Sequence, residues 1–253
     1  MVPQKSAAAT LRAWTPLAEW LSRRMGAPVR LVTAADIPAF ESCLARGAYD
    51  IAYMNPYHFV TFNADPGYRA VAHRRGDRLH GVLVAKRDGP IRTPEDLEGR
   101  PIAFPSPAAF GASLVQRAEL RARGIAFMPR YVRSHESVYL AVARGLIPAG
   151  GGVMRTLRTM PLEVQDQLVV IHQTEGYTPH AVAVGPQVPK MVRARLRMAL
   201  ADAGAAPQQP LAPLGFTAFE LADDAAWDDV RALGIPPQDA GLQLAWRSQC
   251  LSD

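Results

Sequence analysis

A chain of 253 residues, 49% apolar and 20% charged, is long enough to bury a sizeable core in one large or two modest domains, and its composition is that of a soluble globular protein, not a disordered or fibrous one. The net charge of +5 favours an anionic partner, but the densest basic group, Arg74-Arg75-Gly76-Asp77-Arg78, is interrupted by an acid and lacks interleaved aromatics, which argues against nucleic acid. No apolar run is long enough to span a bilayer, no signal-peptide pattern opens the chain, and the two cysteines, Cys43 and Cys250, match no metal spacing and read as structural thiols with their pairing left open.

In chain order, the apolar period from Leu11 to Met25 predicts a helix stopped by Gly26, followed by a short strand at Val29–Val32. A helix over Asp36–Arg46 ends at Gly47. Tyr49–Met54 reads as a strand broken by Asn55-Pro56, with a helix over Tyr57–Asn63. Tyr68–His73 and Leu79–Ala85 read as strands on either side of an arginine-rich turn. After Asp88-Gly89-Pro90 come a short helix in the stretch that opens at Thr93, a strand at Pro101–Phe104 and a long helix over Phe110–Arg123.

A strand at Pro129–Val132 and a helix over Ser134–Arg144 follow, with Ser134 as N-cap and Gly145 as the stop. Leu146–Val153 is apolar and glycine-rich, Met154–Met160 and Leu162–Gln167 are helical, and Leu168–His172 is a strand. Tyr177-Thr178-Pro179-His180 turns the chain into a strand ending at Val184. Helices are expected at Pro189–Ala203, Asp224–Leu233 and around Leu242–Ser248. Strands alternating with helices imply an α/β fold with mostly parallel sheets. The breaks at Lys86–Pro90 and near Pro179–Ala183 divide it into a discontinuous first lobe (residues 1–85 and 182–253) and a second lobe (residues 86–181), with a ligand cleft between them.

The segment Ser106–Ser113 is the most informative. It joins a strand's carboxyl end to a helix's amino end, where unpaired N–H groups and the positive end of the helix dipole converge. The backbone amides of Ala109, Phe110, Gly111 and Ala112, with the Ser106 and Ser113 hydroxyls, form a candidate anion site. Neutral donors of this kind need no desolvated counter-charge. Tyr53 offers a phenol on a strand. Asn55 is held extended by the proline after it, free to project its amide. His135, in the first turn of its helix, is a candidate imidazole donor, protonated or carrying Nε2–H. Tyr177 and His180 flank the second crossing as hinge or cleft-lip residues.

Gly150-Gly151-Gly152 has no Lys-Ser/Thr after it, which excludes a P-loop and leaves a close approach of backbone to ligand as its role. The remaining histidines share no metal-ligand spacing, and Trp14, Trp20, Trp227 and Trp246 read as packing anchors.

The order of these pieces resembles the substrate-binding proteins of phosphate, phosphite and phosphonate ABC transporters. The matching residues are Val2-Pro3-Gln4, Trp14-Thr15-Pro16-Leu17, Gly47-Ala48-Tyr49-Asp50-Ile51-Ala52-Tyr53-Met54-Asn55-Pro56-Tyr57, Thr93-Pro94-Glu95-Asp96-Leu97-Glu98-Gly99, Ser134-His135-Glu136-Ser137 and Thr178-Pro179-His180. The resemblance implies a two-lobed type 2 periplasmic-binding fold, and an extracytoplasmic, monomeric protein that closes on a small oxyanion and presents it to a membrane permease. It implies no cofactor, no metal and no covalent chemistry, and it places ligand contacts at Tyr53, Asn55, Ser106–Ser113 and His135. Two departures matter. The loop carries Ala108-Ala109-Phe110-Gly111 where the family's phosphonate binders are rich in serine and threonine. Pro148-Ala149-Gly150-Gly151-Gly152 stands where they place an acid that holds a ligand amino group. Both point away from an aminoalkyl phosphonate. Two other readings stand beside this one: a sensor of the same fold that signals to a membrane histidine kinase, and a small-molecule enzyme on the fold.

Overall fold

The computed structural model describes residues 1–3, 7–76, 78–241 and 250. Its helices are α1 (Ala7–Met25), α2 (Ile37–Ala45), α3 (Pro56–Ala64), α4 (Val115–Ala122), α5 (His135–Ala143), α6 (Met154–Leu157), α7 (Leu162–Gln165), α8 (Lys190–Ala203) and α9 (Asp228–Arg231). Its strands are β1 (Ile51–Met54), β2 (Arg69–Arg74), β3 (Gly81–Lys86), β4 (Arg100–Phe104), β5 (Phe127–Tyr131), β6 (Ala149–Val153), β7 (Leu168–Gln173), β8 (Ala181–Val184) and β9 (Phe219–Leu221). Side-chain caps start several helices where short polar residues predict them. Asp36 accepts the Ala39 amide ahead of α2, Asn55 the His58 amide ahead of α3, and Ser134 the Ser137 amide ahead of α5.

Two compact units emerge. The first draws on Met1–Asp77, Thr178–Gly234 and Gln243–Asp253, the second on Arg78–Tyr177 and Ile235–Leu242. The division differs from the expected boundaries because β3 pairs with β6 and β7 of the second unit, so the chain crosses ahead of β3 and not after it. The segment Ile235–Leu242 also returns to the second unit, a crossing that the proline-rich tail did not announce. Gln4 and the helix expected around Leu242–Ser248 lie outside the described residues.

The α/β class stands, but the sheets are mixed and not mostly parallel. In the first unit the order is β1-β8-β2-β9 and every pair is antiparallel. In the second the order is β5-β4-β6-β3-β7, with β4 parallel to β5 and β6, and β3 antiparallel to β6 and β7. Connectivity explains the pattern. The parallel neighbours come from the run β4-α4-β5-α5-β6, where a helix carries the chain back to the same sheet end. β1 and β2 also flank a helix crossover, but β8 returns from the second unit and inserts between them in the opposite sense. Val29–Val32 joins neither sheet as a strand, although the Met1 amine donates to the Val32 carbonyl and the Val2 amide to the Tyr53 carbonyl. The expected helix at Asp224–Leu233 is a 3₁₀ turn followed by the short α9.

In the first unit, Leu17 and Leu21 of α1 and Leu196 and Leu200 of α8 pack on Val71, Val182, Val184 and Phe219 of the sheet. In the second, β3 is covered on both faces. Leu83 and Ala85 join Ile102, Phe104 and Leu120 on one side, and Val82 and Val84 join Tyr139, Val142 and Leu157 on the other. A strand buried on both faces reads as a continuous apolar run. Cys43 of α2 and Cys250 form a disulfide with Cα atoms 4.9 Å apart, which decides the pairing that the sequence left open. The half-cystines stand 207 residues apart, and two such distant thiols carry no local signal of their pairing.

The glycines of β6 serve packing. A Cβ at Gly151 would run into the Ala112 carbonyl oxygen and lie 2.7 Å from the Phe104 ring; one at Gly150 would meet Val138, and one at Gly152 Tyr139. Gly151→Ala must lift the backbone carrying Ala112. A loss of about 1–3 kcal/mol in unfolding free energy is expected by denaturant titration, against near-neutrality if the strand face were open.

Candidate functional site

The chain leaves β4 at Phe104, passes Ser106 and Pro107, and enters a π-helical turn at Phe110–Leu114 before α4 begins. The expected long helix therefore has a wide first turn. The Ser113 and Leu114 amides share the Ala109 carbonyl at 2.7 and 3.1 Å, and the Ala109 amide donates to Ser106 at 3.4 Å. Ala109 is thus removed from the expected donors. The amides of Phe110, Gly111 and Ala112 meet no acceptor among the described residues. Three neighbouring N–H groups at the positive end of a helix suit an anion, and π turns concentrate at functional sites.

This turn is seated backbone against backbone. A Cβ at Gly81 would strike the Gly111 carbonyl oxygen, and a Cβ at Gly111 would strike Leu79 and come within 3.4 Å of Gly81 Cα. Tyr177 packs edge-on against Phe110 with ring centroids 5.3 Å apart, and its backbone exchanges hydrogen bonds with Leu79 at 2.8 and 3.1 Å. The Ser106 hydroxyl is buried and unpartnered among the described residues, whereas Ser113 Oγ accepts from Arg117 Nε at 3.1 Å. The close approach at Gly150–Gly152 is to the protein itself: Val138, Tyr139 and the Ala112 carbonyl fill the space that side chains there would need.

His135 follows Arg133, whose φ of 73° is left-handed and strained for a residue with a side chain, and the capping Ser134. It is buried, its Nδ1 has no partner among the described residues, and desolvation lowers its pKa to about 4. The protonated donor weighed from sequence is therefore set aside: the imidazole is neutral near pH 7. Because the folded pKa lies below the unfolded one, the unfolded chain takes up a proton that the folded chain refuses as pH falls below about 6.5. Stability is lost in that window. Between pH 7 and pH 5 His135 should account for about 2 kcal/mol of lost stability, and denaturation of His135→Gln at both pH values should lack that part.

In the first unit, Tyr53 on β1 stacks on His180 at 5.2 Å and lies 4.6 Å from Trp14. Asn55 is extended as expected (φ −67°, ψ 163°), but its side-chain oxygen caps α3 and its amide lies 3.3 Å from His58 Nε2. His58 Nε2 in turn lies 2.7 Å from Glu41 Oε1, both groups being buried. Asn55 is therefore built into a buried polar cluster and does not simply project outward. A cavity of about 510 Å³ in this unit, with Trp14, Leu17, Leu21 and Val182 in its lining, is mainly apolar and contains none of the loop donors. Arg117 escaped the sequence reading. Three consecutive buried positions, Val115, Gln116 and Arg117, break the helical apolar period, so only the tertiary structure reveals it.

The family described as "ABC transporter, phosphonate, periplasmic substrate-binding protein" matches residues 1–227. A binding-protein component of an ABC phosphonate transporter from Pseudomonas aeruginosa is similar in fold, with a TM-score of 0.82, 19% identity, and coverage of 92% of this chain and 83% of that one. PhnD1 from Prochlorococcus marinus, solved in complex with methylphosphonate, gives a TM-score of 0.85 at 12% identity, covering 96% and 97%. The tetrathionate sensor histidine kinase TtrS of Salmonella typhimurium is 25% identical over 133 residues, which are 49% of this chain, and the match spans 22% of the kinase's length. Among the described residues no helix is long and apolar enough to cross a membrane. With a match over nearly its whole length, the chain belongs to the family of periplasmic substrate-binding proteins of phosphonate ABC transporters.

Proposed function

We propose that this protein captures a small tetrahedral oxyanion of the phosphonate, phosphite or phosphate class and delivers it to the permease of an ABC importer. The observation that carries the reading is the set of three adjacent amides, Phe110 to Ala112, beside the unpartnered buried hydroxyl of Ser106. Hydrogen bonds to a charged acceptor contribute about 1.5–3 kcal/mol each, so this set supplies most of what a micromolar ligand requires. His135 adds a neutral donor and Tyr53 is a further proposed contact. The reading asks for binding and no turnover, since amides and hydroxyls hold an anion without attacking it. The Cys43–Cys250 disulfide supports an oxidising, extracytoplasmic setting. The protein acts as a monomer in this reading.

The partial match to a sensor kinase favours a second readout for the same site, in which the ligand-bound form signals instead of feeding a permease.

Titration calorimetry against phosphate, phosphite, methylphosphonate, 2-aminoethylphosphonate and sulfate tests the site. One of the phosphorus oxyanions should give clear heat. Methylphosphonate should outrank the aminoethyl compound, because the Pro148–Gly152 stretch supplies no acid to hold the amine. Gly111→Val, checked for folding by circular dichroism, should weaken binding by about 100-fold or more. No heat from any anion, or unchanged affinity in the variant, overturns the reading.

A further inference from the structure

Arg117 stands on α4 one turn beyond Ser113 and is only 5% exposed. Its Nε donates to Ser113 Oγ at 3.1 Å, and one Nη donates to the carbonyls of Pro107 at 2.9 Å and Asp239 at 2.7 Å. All three acceptors are neutral. The nearby Asp239 carboxylate pairs with the exposed Arg121 instead, at 3.3 Å. Among the described residues no carboxylate forms an ion pair with Arg117. A guanidinium stays charged in a protein; burial disfavours that charge, and the Asp239 carboxylate, which forms no ion pair with it, offsets this in part.

Two of its three contacts are the two ends of the anion loop, Pro107 and Ser113. One lone pair of Ser113 Oγ is occupied by the Nε–H group. The hydroxyl hydrogen therefore remains to be donated, and no acceptor for it occurs among the described residues.

We propose that Arg117 is the positioning residue of the oxyanion site: a buried cation that sets Ser113 as a donor, ties the loop ends together, and attracts the bound ligand. The inference rests on the oxyanion reading above and adds a selectivity to it. A guanidinium behind a hydroxyl that still has its hydrogen to donate favours the fully ionised ligand over its singly protonated form.

The test is calorimetry with methylphosphonate at pH values on either side of its second ionisation. Wild type should bind the dianion at least 10-fold tighter than the monoanion. Arg117→Met should lose that preference and at least 10-fold in dianion affinity. In a cycle with Ser113→Ala, the two losses should be markedly less than additive, because both remove one hydrogen bond. Arg117→Lys keeps the charge but cannot reach both loop ends. It should retain the dianion preference while losing roughly 10-fold in affinity, and it carries the test if Arg117→Met does not fold. If wild type binds no oxyanion at all, the functional reading falls. If wild type binds but the Arg117 variants keep its affinity and its pH profile, or if the losses simply add, the assignment of Arg117 falls and the functional reading stands.

Discussion

The contact on which the second unit's chemistry depends is one of main chain on main chain. The π-helical turn lies so close to β3 and β6 that a methyl group at Gly81 would strike the Gly111 carbonyl, and one at Gly151 the Ala112 carbonyl. Interiors are packed near crystal density and deform little, so such a seat holds the turn in one place. A turn held wide at its start also leaves its first N–H groups without carbonyl partners. Unpaired buried amides are unfavourable in isolation, which makes them strong donors toward a ligand that satisfies them.

Around this turn the electrostatics are divided between kinds of group. The loop itself presents neutral dipoles. His135 is kept neutral by burial, while Arg117 brings a buried guanidinium onto the loop. Neutral donors fix geometry at little desolvation cost, and a single charge behind them adds attraction that depends on ligand ionisation. In the proposed reading such an arrangement discriminates among small oxyanions by hydrogen-bond complementarity and by charge.

Much of the local architecture was legible. Ser134 announces its helix start because a short acceptor next to an apolar period has few other uses, and it caps as expected; Asp36 and Asn55 cap theirs as well. The strands of the second unit were readable from apolar runs bounded by glycine and proline. Where the reading failed, the missing information was long-range. Nothing near β8 reveals that it inserts between β1 and β2. Nothing near Ala109 reveals that its amide is taken by Ser106. Asn55 was read as a projecting amide, although its neighbour His58 lies one helical turn on; what the local sequence could not show is that Glu41, from the preceding helix, buries and pairs with that imidazole.

The sequence by itself determined the α/β class, the helix caps, the small-residue loop at a helix start and the family to which the chain belongs, because each is written in neighbouring residues or in the order of short motifs. Only the tertiary structure decided the strand directions, the Cys43–Cys250 pair, the packing role of Gly150–Gly152, the neutrality of His135 and the burial of Arg117. Those properties depend on which distant atoms exclude water from a group and which occupy the space beside it, and neither is encoded at the residue itself.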